Sequence, residues 1–218
     1  MRKSKANPRS ILVRLVRQSI VVLGLTVISS PLGFTAQRGD DPDWPCQQRL
    51  VPMLSAGLFW SGPEIPADAD WRREKDVADL VAKVTSRNVT PEQGQAMIQQ
   101  FVSGLGENRR ELVALAFAGL LEETNRQRGE VISQLKSLGR RQRDLAAAAG
   151  AIGDRLRTMP NGATAEDAAR RTDLEQRRMY AIRSFEAAQQ TVRYACEIPV
   201  QLEGRLGAYA RALEAALS

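Results

Sequence analysis

Residues 117–162 read FAGLLEETNRQRGEVISQLKSLGRRQRDLAAAAGAIGDRLRTMPNG, and this stretch decides the fold. From Glu107 to Thr158 there is no proline. A three-four spacing runs through Phe117, Leu121, Thr124, Arg128, Val131, Leu135, Leu138, Gln142, Leu145, Ala149, Ile152, Leu156 and Met159. Ten of these thirteen residues are apolar, which predicts one long helix with a coiled-coil seam. At ~1.5 Å per residue the seam is about 63 Å long. Arg128 and Gln142 are polar positions within it, of the kind that sets register. Pro160-Asn161-Gly162 then predicts a turn, because proline fixes one dihedral and Asn-Gly tolerates the left-handed region.

After the turn, Thr164 with Asp167 three residues on reads as the start of a returning helix. Its stripe is Met179, Ile182, Phe185, Val192 and Cys196. Mirroring the arms about Asn161 and Gly162 places Phe185 near Leu138 and Cys196 near Gln127. Pro199 is expected to break or kink this arm, with a last helix from Val200 carrying Leu202, Leu206, Tyr209, Leu213 and Leu217. Glycines at 119, 129, 139, 150 and 153 weaken the outgoing arm and favour bending or close packing.

Upstream, Asp68 or Asp70 is a candidate cap for a helix to about Ser86, apolar at Trp71, Val77, Leu80, Val81 and Val84. Thr90-Pro91-Glu92-Gln93 is the signature of a second helix start, with a capping box and proline in the first turn. That helix carries Met97, Ile98, Phe101 and Val102 and stops at Gly104-Leu105-Gly106. Residues 37–67 hold five prolines, at 42, 45, 52, 63 and 66, which forbid a continuous helix. Trp44, Leu50, Val51, Met53, Leu54, Leu58, Phe59 and Trp60 nevertheless supply the apolar bulk of a segment that packs. An extended strap pinned by Cys46 fits both facts, with room for a short helix around Gln47 to Leu58.

The expected fold is all-α. A strap (37–67) and a small helical base (68–124, completed by 197–218) carry a long antiparallel coiled-coil hairpin (125–196, turn at 160–163). A compact bundle with the hairpin folded onto the base is the competing arrangement.

Charge and cysteine use bear on compartment. The formal net charge of +6 lies wholly in Arg2, Lys3, Lys5, Arg9, Arg14 and Arg17, and beyond Gln37 there are 25 basic and 25 acidic residues. That balance removes the nucleic-acid reading of a sequence pI near 9.8. The basic stretch runs into an apolar one, Ser19 to Ile28, followed by Ser29-Ser30-Pro31, the order of a secretory signal over residues 1–36. Phe34 is bulky for a cut after Ala36, so a retained anchor is the alternative, and with it an inner-membrane location facing the periplasm. Arginine outnumbers lysine 26 to 5, as in GC-rich bacterial genomes, which points to the periplasm, with secretion as a further alternative. Cys46 and Cys196 are the sole cysteines and both follow the signal, so a disulfide staple is expected.

The chain has no histidine. This removes histidine bases, Ser-His and Cys-His pairs and the commonest metal ligand. The carboxylate pairs Glu122-Glu123 and Asp40-Asp41 are adjacent in sequence and diverge on a helix. Gly104-Leu105-Gly106 lacks the third glycine and the strand of a phosphate loop. We therefore expect no catalytic residue, cofactor or metal. Candidate partner-binding residues are Arg140, Arg141 and Arg143 on one arm and Arg177 and Arg178 on the other, for an acidic partner or anionic lipid heads. Interleaved acids give the alternative of a salt-bridged surface. Trp44 and Trp60 are either covers of the base or an exposed aromatic patch. The expected function is an exported interaction protein that binds another envelope protein through its hairpin. The alternatives are a homodimer along the seam, or a binding module for a small ligand or cell-wall fragment between strap and base.

Overall fold

The computed structural model describes residues 41–160 and 164–217. The expected signal (1–36), the first residues of the strap (37–40) and most of the expected turn (161–163) lie outside them. Among the described residues the regular structure is entirely helical. A single 3-10 turn, Ala56–Leu58, precedes α1 (Lys75–Val84), α2 (Pro91–Ser103), α3 (Arg109–Thr158), α4 (Ala165–Ala195) and α5 (Glu197–Glu214). The chain is all-α, and none of these helices is long and apolar enough to cross a membrane.

Local chemistry explains the starts of α2 and α4. At α2 the Gln93 N–H donates to the Thr90 hydroxyl at 3.3 Å, while the Thr90 N–H donates to Oε1 of Gln93 at 3.0 Å. Two N–H groups that the helix cannot pair are satisfied reciprocally. At α4 the Asp167 N–H donates to Thr164 at 3.1 Å. The α1 start differs from expectation. Asp70 accepts from Arg73 in a turn and pairs with its side chain, and the helix begins only at Lys75. The break before α5 also differs. It falls at Cys196, and Pro199 sits in the first turn of α5, where its missing N–H costs no helical bond.

The main core joins α1, α2, the inner part of α3 and α5. Val77, Val84, Ile98, Phe117, Leu120, Leu206, Tyr209 and Leu213 are buried in it. Tyr209 is fully enclosed yet satisfied, its hydroxyl donating to the Val84 carbonyl at 3.2 Å. Gly94 makes room for that ring, since a Cβ there would come within 2.0 Å of the phenolic oxygen. A second, smaller cluster holds Trp44, Ile132, Leu135, Val192 and Cys196.

Helices α3 and α4 pass one another in opposite directions. Arg171 donates to the Met159 carbonyl at 3.4 Å, Gly153 lies beside Arg178, and Leu135 shares a cluster with Cys196. Their register corrects the mirror expectation. Cys196 sits with Ile132 and Leu135, while Gln127 meets Arg205 at 3.1 Å. Met159 and Thr164 both take extended backbone, so the connection between the helices carries its own length, which mirroring about two residues ignores. The buried stripe of α3 also departs from the expected seam. It runs Phe117, Leu120, Thr124, Arg128, Ile132, Leu135, Gly139, with Leu121, Val131 and Leu138 only half-buried. A straight helix drifts by ~20° per heptad from a strict seven-residue repeat. The 41–74 segment meets this stripe directly, Asp43 packing on Gly139 and the Val51 carbonyl accepting from Arg128.

Candidate functional site

The 41–74 segment lies along α3 and is bonded to it at intervals. Asp41 pairs with Lys136 at 2.7 Å, and Asp43 with both Arg140 (2.8 Å) and Arg143. Arg143 also donates to the Pro42 carbonyl at 2.6 Å. Farther along, Nη2 of Arg128 donates to the Val51 carbonyl at 3.0 Å. The amide of Asn125 accepts from the Leu54 N–H (2.8 Å) and donates to the Leu54 carbonyl (3.0 Å). That pairing satisfies an extended backbone which has no strand to join. Trp60 stacks on Phe117 with ring centroids 4.4 Å apart, and Trp71 donates to Glu122 at 2.9 Å.

Cys46 and Cys196 form a disulfide with their Cα atoms 5.7 Å apart. Gln48 reinforces it by donating to the Cys196 carbonyl at 2.6 Å, and the Trp44 indole N–H donates to Gln48 at 2.7 Å. A formed disulfide suggests a protein that works outside the cytoplasm.

The candidate residues separate into distinct places. Arg140 and Arg143 come together with Trp44 around Asp43. Their guanidinium groups hold the Asp43 carboxyl below the usual carboxylate range, Arg140 most strongly, as Lys136 does for Asp41. Arg140 and Arg143 thus serve an internal partner. Arg141 is exposed. On α4, Arg177 pairs with Asp173 at 2.9 Å, and Arg178 reaches toward Gly153. Both tryptophans are covers: Trp44 is buried in the second cluster, and Trp60 spends its N–H on the Pro63 carbonyl at 2.7 Å. Asp41, Asp43, Asn125 and Lys136 were not legible as partners, because each contact joins residues 71 or more positions apart and no local pattern signals it.

Beyond Gly139 no side chain of α3 is fully buried, and α4 buries only Ala181 and Val192. Leu145, Ile152, Leu156, Leu174, Ile182 and Phe185 are half-buried, while Met179 is 50% and Tyr180 72% exposed. Among the described residues no group of three or more acidic, cysteine or histidine side chains could hold a metal ion. No family model matches the chain, and neither the curated proteins nor the solved structures offer a match.

Proposed function

We propose that the protein is an exported, non-enzymatic interaction protein of the bacterial envelope, which binds another envelope protein through the outer half of the coiled-coil hairpin built by α3 and α4. In this reading residues 1–36 direct export to the periplasm, and the Pro-rich strap and its disulfide fix the hairpin's root to the helical base. One observation carries the reading. The outer helix pair keeps a line of large apolar residues that two helices alone leave half-covered, with Met179 and Tyr180 exposed beside them. A core has no use for such groups, whereas a third helix or a partner surface laid along the pair buries them. Self-association along the same line is the competing use of this surface.

The test is a deletion of 147–183, with the arms rejoined through a short glycine-containing turn. Gly153 beside Arg178 and Leu135 beside Cys196 put the cut ends at about the same level. Cys46, Cys196, Arg140 and Arg143 all remain. The shortened protein should stay helical and disulfide-bonded but lose its cross-linked envelope partner. Retention of that partner would move the function to the base.

A further inference from the structure

A cavity of about 380 Å³ opens where the α1–α2 connection meets α3 and α5. Its walls are single helix faces: Gln127, Val131 and Gln134 on α3, and Ile198, Leu202 and Arg205 on α5, with Gln201 beside them. Arg87 and Pro91 close the end formed by the α1–α2 connection.

The charge in this cavity is uncompensated. Arg205 makes one hydrogen bond, donating to the Gln127 amide oxygen at 3.1 Å, and neither it nor Arg87 pairs with an acid among the described residues. The nearby carboxylates are engaged elsewhere. Glu123 holds Arg126 at 2.6 Å, and Glu203 holds Arg128 at 2.6 Å. Other arginines on this molecule hold an acid, as at Asp43, Asp173 and Glu166, so the two here are distinguished by sharing one concave surface rather than by lacking an ion pair. Two unneutralised guanidinium groups on one concave surface present a doubled, fork-shaped set of donors that fits an oxyanion.

The remaining lining argues against a bare inorganic anion. Gln134 and Gln201 offer both donors and acceptors, which match peptide N–H and C=O groups. Val131, Leu202 and Ile198 supply an apolar wall that a hydrated anion would not use. The volume is at the lower end of the ~300–1,000 Å³ typical of ligand sites. We propose that this cavity binds the carboxylate end of a short peptide with small apolar side chains, with Arg87 and Arg205 on the carboxylate and the glutamines on the preceding peptide group. The peptide is either a free fragment or the C-terminus of a longer chain. This site stands apart from the hairpin surface and does not depend on it.

The probes are N-acetyl-alanyl-alanine, its C-terminal amide, an eight-residue peptide ending in Ala-Ala, and inorganic phosphate. They are titrated into the protein by calorimetry while the side-chain amide signals of Gln127, Gln134 and Gln201 are followed by NMR. The acid should bind saturably and shift those signals, and the amide should bind at least about tenfold more weakly. Arg87→Gln and Arg205→Gln should each weaken the acid by about tenfold, with Arg183→Gln on α4 as an unaffected control. Arg87 lies outside any helix, so its variant tests the site even if Arg205→Gln disturbs packing. An eight-residue peptide that binds as well as the short acid identifies a chain terminus as the source, and exclusion of the longer peptide identifies a free fragment. Equal binding of acid and amide, phosphate binding as tight as the acid, or no saturable binding overturns the proposal.

Discussion

The carbonyl oxygen of Asp43 rests against the backbone of Gly139, so close that a Cβ at that position would lie 2.4 Å from it. The contact brings the Asp43 carboxylate between Arg140 and Arg143, one turn of α3 apart. Gly139→Ala should therefore destabilise the protein by about 1–3 kcal/mol through overpacking, despite the better helix propensity of alanine. Gly129 has nothing within 4 Å of its Cβ position, and Gly129→Ala should stabilise by up to ~1 kcal/mol. Opposite signs from denaturant melts of the two variants would confirm that one glycine is a docking point and the other a plain helix residue.

The acid anchors of the 41–74 segment make its attachment to α3 sensitive to low pH. Asp41, paired with Lys136, and Asp43, paired with Arg140 and Arg143, have folded-state pKa values below those of the unfolded chain. Their contribution is complete above the unfolded carboxylate range near ~4 and is lost as pH falls through the folded values. Melting temperature should fall as pH drops from about 5 to about 2. Asp43→Asn should be less stable at neutral pH and show a shallower fall. A parallel decline in both proteins would remove Asp43 from the acid response.

The disulfide joins cysteines 150 positions apart. Closing so long a loop is worth roughly 5 kcal/mol in the chain-entropy model, with measured values commonly about 2–5. The purified oxidised protein should show no free thiol, and Cys46→Ser should melt several degrees lower. Hydrogen exchange should then quicken first at Trp44 and Gln48, which pack around the bond.

Arg128 is a buried arginine with incomplete pairing. Its side chain is 2% exposed, Nη2 serves Val51 and Glu203, and Nε and Nη1 have no partner. Glu203→Ala should cost about 3–5 kcal/mol, because it leaves a buried charge without its counter-ion. Arg128→Met should cost much less, or stabilise, since it removes the buried charge itself. Urea melts of the two variants decide this, and a larger loss for Arg128→Met would mean that the Val51 bond governs.

Much of this fold was legible in the sequence because the signals were local. The Thr90 capping box, the cap at Thr164 and the proline-free run of α3 each depend on residues a few positions apart. The pairing of Cys46 with Cys196 was legible because no third cysteine competes. The α4 register was not, since that helix buries only two side chains and any stripe along it is faint. The route of the 41–74 segment was also hidden, because Asp43 and Arg140 stand 97 residues apart and neither position betrays the other. The glycines of the outgoing arm pointed to bending or close packing without saying which of them is packed. At Gly139 it is the fit for another backbone, a distinction that needs the neighbour in place.

The most direct test of the hairpin's role is site-specific photo-cross-linking in the envelope of intact cells. A photoreactive residue replaces Tyr180, which is 72% exposed on the outer half of α4, and in a second strain replaces Lys83 on the base. The account predicts a discrete adduct with a different envelope protein at position 180, absent at position 83. An adduct of the protein with itself at 180, or a foreign adduct found only at 83, would contradict it.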